Sequence, residues 1–371
     1  MNILLLESPR FLRVLQSLGC NVLYLGPHPS PDARAGQQLT RMCHHRELTS
    51  ILQARGFTPD AVLWCDHGYL PSVLGFEALP CPVIGLTIDD YCNPWHIPLS
   101  MAFDLVLVAQ KDYVPLFEQD TAPREDTAPR EGAMPRQGRQ VGRQVRQVRW
   151  SPLFCDADVD QDPGLARDIP VSFVGTLRPT NIPQRLPFLE TFRRHAPLVM
   201  LQGRYVPVFA RSHIVLNQTA AGELNFRIFE AAACGAAVLT EDTGNGLYDL
   251  FVPGETILPP YPRGDAVAAA AVARHWLDRP EDLRRIAQQG QALVLAEHTL
   301  QVRARMLLDD IRHLSQTGAP AWRRQHQDQI RRSLATACGF IAAELTQPQF
   351  QKMQQTYLNL AQAYPAMWGR L

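Results

Sequence analysis

No stretch of this 371-residue chain approaches the ~20 consecutive apolar residues needed to span a bilayer, so the sequence predicts no transmembrane segment. Net charge is also missing. Lys and Arg number 36 and Asp and Glu number 36, which leaves no global field to favour nucleic acid or an anionic membrane surface. The eight cysteines, at 20, 43, 65, 81, 92, 155, 234 and 338, include no Cys-x-x-Cys pair. Scattered thiols of this kind read as reduced and buried, the usage of a cytoplasmic protein. Met1–Leu6 lacks the basic flank and cleavage site of a secretory signal and reads instead as a buried strand.

Metal-binding patterns are absent too. His44 and His45 after Cys43 are adjacent, and adjacent side chains diverge on a strand or a helix. The aspartates from Asp156 onward suggest a calcium loop, but the sixth and twelfth positions hold Gln161 and Arg167 where Gly and Glu are required. Cys155–Gly164 is therefore read as a polar linker, and no metal and no cofactor are expected.

What is present is a succession of short apolar runs separated by helix-length segments. Asn2–Leu6, Val22–Leu25, Asp60–Cys65, Val83–Thr87 and Leu105–Ala109 read as strands, with a short helix over Phe11–Leu18 ending at Gly19. That alternation predicts a doubly wound α/β domain. The glycine-rich turn common after a first strand is replaced by Glu7-Ser8-Pro9. Asp-Thr-Ala-Pro-Arg-Glu then occurs twice from Asp120 to Glu131, and Gly-Arg-Gln-Val twice from Gly138 to Val145. So few apolar residues cannot build a core, and 120–149 is expected to be a flexible loop expanded by duplication, with Val145–Trp150 returning as a strand.

A second α/β region follows. Val171–Leu177 reads as a strand with a glycine turn, Leu186–Phe192 as a helix, Leu198–Leu201 and Ile214–Asn217 as strands, and Ala266–Leu277 and Leu283–Leu295 as helices. Leu224–Gly235, Leu-Asn-Phe-Arg-Ile-Phe-Glu-Ala-Ala-Ala-Cys-Gly, carries a helical apolar stripe at Ile228, Phe229, Ala232 and Ala233. Gly235 is placed to end that helix before a strand over Ala236–Thr240. Ligands of open parallel sheets bind beyond the carboxyl ends of the strands, so Asn225, Arg227 and Glu230 are placed for an anionic ligand.

Asn-x-Arg-x-Phe-Glu followed by Ala-Cys-Gly resembles the donor-site signature of the spore-maturation (CgeB-like) glycosyltransferases, relatives of the group 1 enzymes. Val171–Leu177, Ser212–Asn217 and Ile286–Arg303, with Gly290, His298 and Thr299, resemble that family's first donor-domain strand, its pre-signature strand and its closing helix. The resemblance covers roughly 165–312. It implies an α/β GT-B fold, two Rossmann-like domains facing a cleft, with C-terminal helices. The expected division is an acceptor-side domain at 1–155, a nucleotide-sugar-binding domain at 165–312 and a helical extension at 313–371. That extension is expected to cross back onto the first domain; a helical-repeat fragment for partner binding is the competing view.

The implied function is metal-independent transfer of a sugar, hexosyltransferase-like, from a nucleotide-sugar substrate to a glycan, protein or small-molecule acceptor. Glu230 matches the family glutamate that takes the ribose hydroxyls, a task suited to a carboxylate. Arg227, with a planar fork, suits the leaving diphosphate. Asn225, Asn217, the amides of Gly175 and Thr176, and Arg178, Arg185 and Arg204 complete the expected donor set. Group 1 enzymes often place two glutamates seven residues apart; here Gly222 stands at the first position and Glu223 is offset, either reaching the sugar or capping the helix. For an acceptor-side base, Asp66, His67, Asp89 and Asp90 follow strand ends and have usable pKa ranges. A nucleotide-sugar epimerase and a non-catalytic partner-binding protein on the same fold are the alternatives.

Overall fold

The structure, a computed structural model, describes residues 1–119, 147–178 and 182–364. The chain forms two compact units. One comprises Met1–Val108, Tyr113–Trp150 and Leu308–Leu371, and the other Ala109–Asp112 with Ser151–Leu307.

The first unit is built on seven parallel strands: β1 (Asn2–Leu6), β2 (Asn21–Gly26), β3 (Gly36–Gln38), β4 (Ala61–Cys65), β5 (Val83–Thr87), β6 (Leu105–Val108) and β7 (Gln147–Trp150). Their order is β3-β2-β1-β4-β5-β6-β7, with Leu4 opposite Leu23 on one side and Val62 on the other. All of β4, β5 and β6 is buried, as strands covered on both faces must be. The apolar runs therefore fell where the sequence puts them. The three-residue β3 is too short to show a pattern, and the helix His45–Ala54, amphipathic through Leu48 and Leu52, is an element that the sequence reading does not include. Most of the tandem repeat lies outside the described residues, while 147–149 open β7.

Helices Gln327–Glu344 and Gln351–Ala363 belong to this first unit. Ile330, Leu334, Ile341, Tyr357 and Leu360 share one buried cluster with Leu4, Leu25, Trp64 and Phe103. Tyr357 donates its hydroxyl to the Pro71 carbonyl at 2.9 Å, and Tyr364 donates to Glu77 Oε1 at 3.1 Å. Arg323 is fully buried. Its guanidinium pairs with Asp104 and donates to the carbonyls of Glu77 at 2.8 Å, Leu79 at 2.5 Å and Cys81 at 2.7 Å. A lone buried cation would be prohibitive; this one has four acceptors in a fork geometry.

The second unit holds four parallel strands, β8 (Ile169–Val174), β9 (Val199–Leu201), β10 (Ser212–Asn217) and β11 (Ala237–Thr240), in the order β11-β10-β8-β9. Its core packs helices Arg185–His195 and Ala266–Leu277 around Phe173, Leu189, Leu216 and Ala270. The family-like closing helix is divided. Pro280–Glu297 stops at His298, whose backbone leaves the helical region, and the Thr299 hydroxyl caps a new helix, Leu300–Thr317, by accepting from Val302 N at 3.1 Å. Among the described residues no helix is long and apolar enough to cross a membrane.

Replacing Arg323 with Met keeps most of the apolar stem and removes the charge, leaving Asp104 and three carbonyls without their donor. We expect a loss of ~3–5 kcal/mol of stability, the scale for breaking a buried pair. Urea unfolding followed by circular dichroism measures it; an unchanged midpoint would show that these acceptors find other partners.

Candidate active site

In the second unit, the signature helix runs from Phe226 to Ala233 with Asn225 extended at its N-cap. Gly235, at φ 75°, turns the chain out of the helix into β11 as its position predicts. The Asn225 Oδ1 is buried with no hydrogen-bond partner at this helix start.

Arg227 ties three strand ends together. Its Nε donates to the Val174 carbonyl at 3.0 Å and its Nη1 to Asn217 Oδ1 at 2.7 Å. Asn217 in turn donates to the Thr240 hydroxyl at 2.9 Å. The guanidinium lies 4.5 Å over the Phe173 ring. Gly175 must be glycine for this, because a Cβ there would meet Arg227 Nη2 at 2.5 Å. Burial, then the charge of Arg185, lower the Arg227 pKa to about 10, so it stays a cation at neutral pH.

Arg185 is buried and fully engaged. Nε donates to Gln218 Oε1 at 2.7 Å, Nη2 to the Gln218 carbonyl at 3.2 Å and Nη1 to the Thr176 carbonyl at 3.3 Å. The Gly175 amide is also spent within the fold, on the Leu201 carbonyl at 3.1 Å. Gly175, Thr176, Arg185, Asn217 and Arg227 are thus brought together at the carboxyl ends of β8 and β10. Arg178 and Arg204 are exposed.

Glu230 follows Arg227 by one helical turn on the same face. Burial, then the charge of Glu230, push the Tyr205 pKa far above its ordinary value, and the Tyr205 hydroxyl donates to Asp160 Oδ1 at 2.7 Å. Glu223 neither caps the helix nor stands open. Its carboxylate accepts from Ala220 N at 2.9 Å and Ala221 N at 2.7 Å, closing its own loop. Glu241, unmarked in the sequence analysis, fixes the same loop by accepting from Thr219 N at 3.0 Å and Gly264 N at 3.2 Å.

In the first unit, Asp66, His67, Asp89 and Asp90 lie at the carboxyl ends of β4 and β5. Asp66 is buried and accepts from Gly68 N at 2.9 Å, Ile88 N at 3.0 Å and Asp89 N at 2.9 Å, so it holds two loops together. Asp90 accepts from the Thr87 hydroxyl at 3.2 Å and pairs with His96 Nδ1 at 2.9 Å. Burial alone would lower the His96 pKa, but Asp66 and Asp90 outweigh it and raise it. Asp89 is partly buried; burial, then the neighbouring Asp66 charge, raise its pKa to about 6.

His67 meets two residues that the sequence did not single out as functional. Its Nε2 lies 3.4 Å from Glu7 Oε2, and its Nδ1 lies 3.3 Å from His28 Nε2. Glu7 holds a left-handed backbone, φ 71°, and is wholly buried. Its carboxylate accepts from Ser72 N and Val73 N, each at 2.8 Å, and from the Ser72 hydroxyl at 2.6 Å. The available signal was a charged residue directly after a buried strand. Among the described residues, no group of three His, Cys, Asp or Glu side chains is arranged to hold a metal ion.

Residues 167–309 match the family model described as glycosyl transferase-like, about two fifths of the chain. No curated protein matches. Among solved structures, the chain is similar to a glycosyltransferase from Rickettsia africae (10% identity, TM-score 0.60, 84% of this chain and 98% of that one). It is also similar to HepE of Anabaena in complex with UDP (12%, 0.58, 84% and 100%) and to sucrose-phosphate synthase of Thermosynechococcus elongatus (11%, 0.58, 85% and 99%). Identities this low carry the fold and nothing finer. The fold is GT-B, and the region 167–309 within the second unit is similar to a glycosyl transferase-like family.

Proposed function

We propose that the protein is a CgeB-like, hexosyltransferase-type enzyme that moves a sugar from a nucleotide-sugar to a hydroxyl acceptor without a metal. The observation that carries the reading is the Arg227 cation, held between Val174, Asn217 and Phe173 at the carboxyl ends of parallel strands, one helical turn from Glu230. A fixed, partly desolvated guanidinium is suited to the charge that develops on a leaving diphosphate. Asn225, at the helix start, adds a polar group for the same anion. Glu230 is assigned to the ribose hydroxyls, displacing its contact with Tyr205. Solved structures of HepE with UDP and with UDP-glucose support a nucleotide-sugar as the donor class. The acceptor-activating groups are assigned to the first unit, to His67 and its neighbours with Asp89; Asp66 and Asp90 position them. A cytoplasmic location goes with the free thiols.

Calorimetry with UDP and uridine tests the donor assignment. Glu230→Gln removes the charge while keeping size, and should weaken binding of both ligands by ~1.5–3 kcal/mol. Arg227→Lys keeps the charge and loses the fork, so it should weaken UDP more than uridine. Wild-type affinities in both folded variants would remove the donor-site assignment and the transferase reading with it.

Asp89 gives a second, pH-based prediction. A carboxyl with a folded pKa of about 6 binds its proton more tightly folded than unfolded. Its ionisation therefore costs stability as pH rises from the unfolded value, ~3.9, through about 6. Asp89→Asn should accordingly raise the melting temperature at pH 8 by ~2–4 °C, the scale of about 1 kcal/mol, and by much less at pH 4.5. Equal shifts at both pH values would show that Asp89 ionises without penalty.

A further inference from the structure

His96 takes no part in the proposed transfer chemistry, yet it is a wholly buried ring with a carboxylate facing each nitrogen. Nδ1 is hydrogen-bonded to Asp90 Oδ1 at 2.9 Å. Nε2 makes no hydrogen bond and lies 3.5 Å from Asp66 Oδ2, an ion-pair distance. Asp66 Oδ2 already accepts the amides of Ile88 and Asp89, and its Oδ1 accepts that of Gly68. Three amide donors favour the ionised carboxylate, so the ring nitrogen faces a negative charge.

The ring is sealed by protein on its other sides. Trp95 and Trp64 meet it edge to face, at centroid distances of 4.2 and 5.9 Å. Its short helix, His96–Leu99, is seated on the helix Gln327–Glu344, where the Ser333 hydroxyl donates to the Pro98 carbonyl at 2.9 Å. The charges that act on the ring are Asp66 from the end of β4, Asp89 and Asp90 from the end of β5, and Glu344 from Gln327–Glu344. All four are acidic. Cys92 lies on the same loop as Asp90 and stays a neutral thiol, because burial and then Asp89 push its pKa up to about 12.

We propose that His96 is a buried imidazolium latch: its charge locks the loops after β4 and β5 together, and loss of its proton in alkaline solution releases them. A neutral imidazole donates from one nitrogen only. With Nδ1 committed to Asp90, a neutral ring would turn a bare lone pair toward the Asp66 carboxylate in a site sealed from water. The ionised ring answers both carboxylates with one charge, and removing its proton leaves two buried anions without a counter-charge. His96 binds its proton more tightly folded than unfolded. Its contribution is therefore complete below the unfolded value of ~6.5 and is lost as pH rises through the higher folded value. The loops so held carry His67 and Asp89, and their Gly68, Ile88 and Asp89 amides rest on Asp66. The latch concerns the first unit alone and does not depend on the transferase reading.

Imidazole nitrogen NMR on the full-length protein reads the charge. Both His96 nitrogens should carry protons at pH 6, and the ring should titrate with a midpoint above ~6.5. Asp90→Asn removes one of its two carboxylates and should lower that midpoint by ~1 unit. A wild-type midpoint at or below the unfolded value overturns the latch. Hydrogen exchange, corrected for intrinsic rates, reads the release. In the wild type, protection of the Gly68, Ile88 and Asp89 amides should fall by up to ~10-fold per pH unit above ~6.5. Asp89 itself titrates at about 6, below that window. In His96→Gln the protection should be independent of pH across the same window. Flat protection in the wild type, or an equally steep loss in His96→Gln, overturns the proposal. Should His96→Gln fail to fold, the wild-type midpoint and exchange profile decide it.

Discussion

Buried carboxylates gripping backbone amides hold the carboxyl-terminal edges of both sheets in shape. Parallel strands sealed on both faces offer polar chemistry only at their ends, where loops must leave the sheet without stranding their N–H groups. Here Glu7 takes the amides of Ser72 and Val73, and Asp66 those of Gly68, Ile88 and Asp89. Glu223 and Glu241 do the same for Ala220, Ala221, Thr219 and Gly264. Each is a charge-assisted contact of the stronger kind. They explain why so many acidic residues crowd the strand ends, and why most of them are structural.

That division of labour governs what the sequence could disclose. Strand runs such as Val83–Thr87 are legible because burial on both faces demands uninterrupted apolar side chains. The signature helix was legible because its stripe, its cap and Gly235 agree locally. The rule that loops after strands carry chemistry points to Asp66, His67, Asp89 and Asp90 as candidates. The rule does not separate an aspartate with three amides from one exposed to solvent, since Asp66 meets Ile88 only through the pairing of β4 with β5. His28 and Glu7 were invisible for the same reason: 39 residues separate His28 from His67, and only strand order makes them neighbours.

The second unit shows a related tension around its cations. Arg185 is consumed by Gln218 and Thr176, and Arg227 by Val174 and Asn217. Their proximity makes each charge less comfortable, as the lowered pKa of Arg227 records. On the proposed reading, an incoming diphosphate relieves that repulsion, and the fold has ordered the guanidinium before the ligand arrives. Preorganisation of this kind spares reorganisation during reaction.

The placement of Arg323 bears on how the protein is made. The first unit begins the chain, but its core is completed by helices beyond Leu308, and Arg323 supplies the partner of Asp104 from 219 positions later in sequence. During synthesis, β5 and β6 leave the ribosome with only the Val83 amide for that carboxylate and without the guanidinium that the carbonyls of Leu79 and Cys81 accept from. The second unit, apart from the short Ala109–Asp112 segment, is drawn from the continuous stretch Ser151–Leu307 and is fully synthesised before Arg323 exists. The amino-terminal unit is therefore the last to be finished, reversing the usual vectorial order. Its exposed strands must wait, dependent on contacts of high sequence separation, until the tail closes over them.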